Sequence, residues 1–148
     1  MIRQSPLIVM MARAARRAAR GLLRDFGEVE QLQVSRKGPA DFVSQADLKA
    51  ERVLREELEK ARPEFGFLME ESGASKKGDG LLRCIVDPRD GTTNFQHGRP
   101  HFAGSVAAER DGELVAGVVY EPLRDDTYWA ERGIGAYLNE RRLRVSAR

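Results

Sequence analysis

The run Cys84-Ile85-Val86-Asp87-Pro88-Arg89-Asp90-Gly91-Thr92-Thr93-Asn94-Phe95 constrains the fold of this chain more than any other stretch. A short apolar segment ends in two carboxylates, Asp87 and Asp90, and Gly91, Thr92 and Thr93 follow at once. That order predicts a buried strand delivering acids to a turn that opens into a helix. Unpaired carboxylates are costly to bury, and hard divalent cations prefer oxygen ligands held in this way. The Gly-Thr-Thr offers free backbone amides and hydroxyls, as a helix start does to a phosphate oxygen. A metal and a phosphate are both plausible here. The plainer alternative is an acidic turn in which Asp90 caps a helix from solvent.

A second strand of the same design precedes it. Phe67-Leu68-Met69 is short and apolar and ends in Glu70 and Glu71. If the two strands lie side by side, Glu70 and Asp87 meet at one point, where their like charges are tolerable only with a cation between them. Glu71 reads as a solvated strand-end acid. The Gly- and Lys-rich stretch from Ser75 to Gly80 reads as a mobile loop.

The rest of the chain frames these strands. From Ser5 to Phe26, Leu7, Ile8, Met11, Ala15, Ala18, Ala19, Leu22 and Phe26 recur at helical spacing, and Arg13, Arg16, Arg17, Arg20 and Arg24 fill the other face. An arginine-rich helix with no acid before Asp25 can be a transit peptide or a surface-lying segment, but the ordinary first helix of a domain is the expectation. Residues 32–43 read as extended or turn, broken by Lys37-Gly38-Pro39. Ser44 and Asp47 have capping-box spacing, which predicts a helix from there to Pro63. That helix would carry Leu48, Val53, Leu54, Leu58 and Ala61 inward and pair Glu56 with Lys60 outside. Beyond Phe95, strands are expected over 102–110, 113–120, 127–131 and 136–138, with Leu143 and Val145 in a last one. The fold class is therefore α+β, two helices followed by a largely antiparallel sheet. His97 and His101 flank Pro100 and read as loop or rim residues, since no zinc-type spacing accompanies them.

The segment Asp87-Pro88-Arg89-Asp90-Gly91-Thr92-Thr93-Asn94-Phe95 resembles the signature of the inositol monophosphatase family, the magnesium-dependent, lithium-sensitive phosphatases. Asp41-Phe42-Val43-Ser44-Gln45-Ala46-Asp47 and Glu70-Glu71-Ser72 match the family in order and spacing. The resemblance implies the N-terminal half of the family's αβαβα sandwich. It also implies hydrolysis of a small phosphate monoester by a metal-activated water, with Mg2+ as cofactor. On this resemblance Glu70, Asp87 and the backbone carbonyl of Arg89 hold one magnesium, and Asp90, with Asp87 bridging, serves another. Thr92, supported by Asp47, helps Glu70 activate the water, and the amides of Gly91 and Thr92 bind the phosphate. Lys37 and Asp41 fall at the rim. Arg89 departs from the family, which usually has an aliphatic residue there, and a cation so placed would repel the metals. Family members are also longer and complete the second metal site with an Asp in a later Trp-Asp-x-Ala-Ala-Gly motif, which is not in this sequence. The alternative expectation is a truncated, non-catalytic metal- or partner-binding module, with the basic helix as one candidate surface.

Length and charge fit this frame. The 148 residues read as one domain, residues 1–148, able to bury a sizeable core. With 25 basic and 23 acidic side chains the net charge is +2, so no global field argues for nucleic acid or membrane partners. The single cysteine, Cys84, lies in an apolar run and reads as a small buried hydrophobe. A cytoplasmic location is expected, as is a homo-oligomer or association with the half of the family fold that this sequence does not contain, because a sheet left uncovered exposes apolar surface.

Overall fold

The computed structural model describes residues 2–32, 39–74 and 82–147, and the side chains of these except 29–32 and 39–44. Helix α1, Pro6–Leu32, begins as its sequence dictates. The Ser5 hydroxyl accepts from the Ile8 amide at 3.3 Å and its carbonyl from the Val9 amide at 3.0 Å, a side-chain N-cap. Ile8, Met11, Ala15, Ala18, Ala19 and Leu22 are buried as expected, and Arg13, Arg16, Arg17, Arg20 and Arg24 are exposed. The helix runs past Phe26 because Gly27 does not stop it and Glu28, Glu30 and Gln31 are good helix formers.

Helix α2, Pro39–Ala61, starts earlier than the capping-box spacing predicts. Proline suits a first helical position, where no N–H is needed, so Ser44 lies inside the helix and not at its start. Residues 39–43 are thus helical, whereas Lys37-Gly38 and the loop expected over Ser75–Gly80 lie outside the described residues. Leu54 and Leu58 are fully buried, but Leu48 is 47% exposed and Ala61 is exposed. Asp47 and Glu51, one turn apart, occupy the inward positions beside Ala46 and Ala50, and this rotates Leu48 outward. The i,i+4 pair on the outer face is Arg55–Glu59, at 3.0 Å, in place of Glu56–Lys60.

The strands are β1 (Gly66–Met69), β2 (Gly73–Ala74), β3 (Leu82–Asp90), β4 (Ala103–Arg110), β5 (Glu113–Glu121), β6 (Asp126–Glu131), β7 (Gly135–Leu138) and β8 (Arg141–Arg142). They form one sheet in the order β2-β1-β3-β4-β5-β6-β7-β8. Every pair is antiparallel except β1 with β3, which run parallel with Met69 opposite Val86. The last strand expected over Leu143 and Val145 is displaced to Arg141–Arg142; Leu143 still donates its amide to Ala136 O at 2.8 Å, but Val145 is fully solvated.

Both long helices cover one face of the sheet. Along β3 to β7 the inward residues Cys84, Val86, Val106, Ala108, Val118, Trp129 and Tyr137 are buried and their neighbours are not, the period-2 pattern of a sheet with one covered face. A short helix α3, Thr92–Gln96, follows β3 and is held by Phe95, whose ring packs 5.5 Å from Phe26 and 5.0 Å from Phe102, centroid to centroid. Among the described residues no helix is long and apolar enough to cross a membrane.

Candidate metal and phosphate site

The parallel pairing of β1 and β3 places their C-terminal ends side by side. Glu70 donates its amide to Val86 O at 3.2 Å, so its side chain emerges beside that of Asp87. The two carboxyls are close enough to share a hydrogen bond, and that bond, with burial and the charge of Asp87, pushes the Glu70 pKa from 4.5 up to about 7. Glu71 is raised as well, chiefly by desolvation and then by Asp47 and Glu51. The convergence expected of Glu70 and Asp87 is therefore present. Two oxygen-rich, mutually repelling side chains are the donor type a hard divalent cation prefers, so this pair fits such an ion. No third Asp, Glu, His or Cys joins the pair in a metal-sized group among the described residues.

Asp90 is set apart by a bulge. The β3–β4 register shifts between Asp87 and Asp90, where Pro88 and Arg89 loop out, and such bulges re-aim side chains beside active sites. The Arg89 amide turns back to Asp87 Oδ1 at 3.0 Å and fixes that carboxylate. Asp90, exposed, instead lines a cavity of about 420 Å³ with Gly91, Asn94, His101, Glu121 and Tyr128. His101 is thus a rim residue, and His97 closes α3 at its C-terminus.

Gly91 makes the corner. Its φ is +92°, and a Cβ there would lie 2.9 Å from His101 O and 3.3 Å from Phe102 Cα, so only glycine fits. Its carbonyl accepts from the Phe95 amide at 3.0 Å, and Asn94 Nδ2 donates to His101 O at 2.9 Å, tying the turn to the segment before β4. Thr92 is exposed.

Helix α2 supplies two buried acids, and each holds one of the acid-bearing turns. Glu51 Oε2 accepts from the Glu71 amide at 2.8 Å, and Oε1 accepts from the Ser72 amide at 3.2 Å and from the Ser72 hydroxyl. This clamps the turn after β1. Asp47 receives both Nε (2.5 Å) and Nη2 of Arg89 in a forked pair. The Arg89 side chain is fully buried, its Nη1 approaches Thr92 O at 3.5 Å, and its guanidinium carbon sits 4.2 Å from the Phe95 ring centroid. Arg89 thus points into the protein, where Asp47 neutralises it, and its guanidinium lies between Asp47 and the Thr92 carbonyl. Removing one member of such a buried pair typically costs about 3–5 kcal/mol.

The sequence pattern did not single out Glu51, and it read the Arg89 side chain as a cation facing the metals where the structure turns it inward onto Asp47. The available signal was polarity at i and i+4, Asp47 and Glu51, on the face that also carries Ala46, Ala50, Leu54 and Leu58. Asp41 lies in α2, with its side chain outside the described residues, as is the whole of Lys37. Cys84 is buried and free, and burial pushes its thiol up to about 12, so it is a packing residue.

A helix pair on one face of this sheet, with acids gathered at the ends of β1 and β3 and a glycine corner after them, defines a class. The chain belongs to the inositol monophosphatase family, whose profile matches residues 3–148. Among its relatives is the inositol-1-monophosphatase of Rhizobium meliloti (strain 1021), 63% identical over 145 residues that cover 98% of this chain and 54% of that protein. The Nus factor SuhB of Xylella fastidiosa (strain Temecula1) is 41% identical over 98% of this chain and 52% of its own length. Of solved structures, the native extragenic suppressor protein suhB of Bartonella henselae superposes with a TM-score of 0.87 at 59% identity, covering 97% of this chain and 56% of that one. The inositol monophosphatase of Anabaena sp. PCC 7120 does so at 0.80 and 30% identity, over 96% and 50% of the two chains. The chain spans about half the length of the curated relatives it matches.

Proposed function

We propose that this chain is the metal-holding half of a cytoplasmic phosphomonoesterase that hydrolyses a small phosphate monoester, such as inositol 1-phosphate, with Mg2+ as cofactor. The observation that carries the reading is the meeting of Glu70 and Asp87 at the exits of two parallel strands. Glu70, Asp87 and the carbonyl of Arg89 would hold one cation, and Asp90 with Asp87 a second. When bound, Mg2+ lowers the pKa of a water and neutralises charge on the phosphate and the departing alkoxide. Glu70 serves as the base that takes the water's proton, oriented with Thr92. The Gly91 and Thr92 amides, at the start of α3 where no intrahelical acceptor exists, bind phosphate oxygens. Asp90 reaches the adjoining cavity, where it contacts the alcohol portion of the ester. Names of the relatives support the substrate class.

The test is phosphate release from inositol 1-phosphate by the purified chain, alone and joined to the second half of a relative, with calorimetric titration of Mn2+ on the same samples. Magnesium-dependent release, inhibited by lithium and lost with Mn2+ binding in Asp87→Asn, is the expected result. Release that persists without divalent cation would sink the proposal. A second reading, metal binding without turnover by a module that acts through a partner, is favoured by the absence of a third acid beside Glu70 and Asp87 among the described residues. It predicts Mn2+ binding by the chain and no release in either form.

A further inference from the structure

The Arg89 side chain has no place in the function proposed above, which uses only its carbonyl. Yet among the described residues it is the largest fully buried side chain and the one cation inside the site. Its fork takes both oxygens of Asp47, the third nitrogen reaches toward Thr92 O, and Phe95 lies beneath it. One guanidinium therefore joins α2, the bulge of β3 and the first residue of α3. A bulge has lost its ladder hydrogen bonds, so something else must fix the separation of Asp87 and Asp90. The planar donor fork of arginine suits this, being rigid, permanently charged and matched to a carboxylate.

We propose that Arg89 is a positioning residue: through Asp47 it holds the bulged Asp87–Asp90 turn and Thr92 in the arrangement that receives the divalent cation. The inference rests on the reading of that turn as cation-binding. Arg89 is the anchor of the turn and Asp47 its buttress, so the two act as one unit. The guanidinium does not compete with the bound cation, because its charge is matched on the inner side by Asp47.

The experiment compares the wild-type chain with Arg89→Leu, Arg89→Lys, Asp47→Asn and the double variant Asp47→Asn/Arg89→Leu. Mn2+ affinity is measured by calorimetry, and kcat and KM by phosphate release. Arg89→Leu is expected to weaken Mn2+ binding by about ten-fold or more, as loss of a residue that orients metal ligands generally does. It should lower kcat with KM little changed. The double variant should be no worse than the poorer single variant, since members of a unit are not additive. Arg89→Lys keeps the charge without the fork and should recover only part of the loss. Unchanged Mn2+ affinity in Arg89→Leu, or additive losses in the double variant, overturns the proposal. Should Arg89→Leu fail to fold, Arg89→Lys and Asp47→Asn carry the test: matched losses support it and unmatched losses overturn it. A wild-type chain that binds Mn2+ without turnover, both alone and joined to the second half of a relative, ends the phosphatase reading and leaves Arg89 to be decided by the Mn2+ affinities. A wild-type chain that binds no Mn2+ ends both.

Discussion

Glu70 is largely exposed, yet its hydrogen bond with Asp87, partial desolvation and the charge of that neighbour raise its pKa from 4.5 to about 7. The folded chain therefore holds this proton more tightly than the unfolded chain does. The stability it contributes is complete below pH 4.5 and is lost as the pH climbs through about 7. In metal-free buffer the wild-type Tm should fall across that window, and Glu70→Gln should flatten the fall. Equal slopes in the two proteins, by thermal unfolding monitored by circular dichroism, would contradict the assignment. Gly91 is tested differently. Gly91→Ala demands a left-handed conformation and a Cβ 2.9 Å from a backbone oxygen, and should cost about 1–3 kcal/mol in urea unfolding. A variant as stable as wild type would show that the corner can relax.

Among the elements, α2 carries the most consequence. Its inward stripe mixes Leu54 and Leu58 with Asp47 and Glu51, so the same face that packs the core also secures both acid-bearing turns. Leu54→Ala should cost about 2–5 kcal/mol, whereas Leu48→Ala, on the solvent side, should stay within about 0.5 kcal/mol. Comparable losses at the two positions would refute this placement of the helix face. The contrast also marks where sequence reasoning succeeded and where it did not. The strands around Phe67 to Met69 and Ile85 to Asp87 were legible because short apolar runs ending in acids leave few alternatives. The first-helix stripe was legible from its period. The start of α2 was not, because Lys37-Gly38-Pro39 reads as a turn although proline equally opens a helix. The burial of Arg89 was not legible either, since an arginine between two acids reads as a cation facing the metals until a buried carboxylate on another element is known to face it.

At the scale of the whole molecule, the sheet has one covered face. On the other, Leu114 and Val119 of β5 and Ile134 before β7 are exposed, and a broad depression of about 760 Å³ runs over Ala107, Leu114, Val115 and Ile134. Contiguous exposed apolar surface of this kind favours association. The chain alone should self-associate with rising concentration, and Leu114→Glu with Ile134→Glu should reduce that. Light scattering that reports a monomer throughout a broad concentration range would dismiss the expectation.

The single parallel pair in an otherwise antiparallel sheet has a consequence for the order of events in folding. Antiparallel neighbours such as β4 and β5 meet through a tight turn, but β1 and β3 align only after an intervening strand and a long connection have been accommodated. Pairing of that sort forms slowly, because chain closure precedes its reward. Glu70 and Asp87 come together only with it, so a partly folded chain offers a cation no paired site. A divalent ion would then leave the folding rate untouched and act on the return path, as a brake on unfolding.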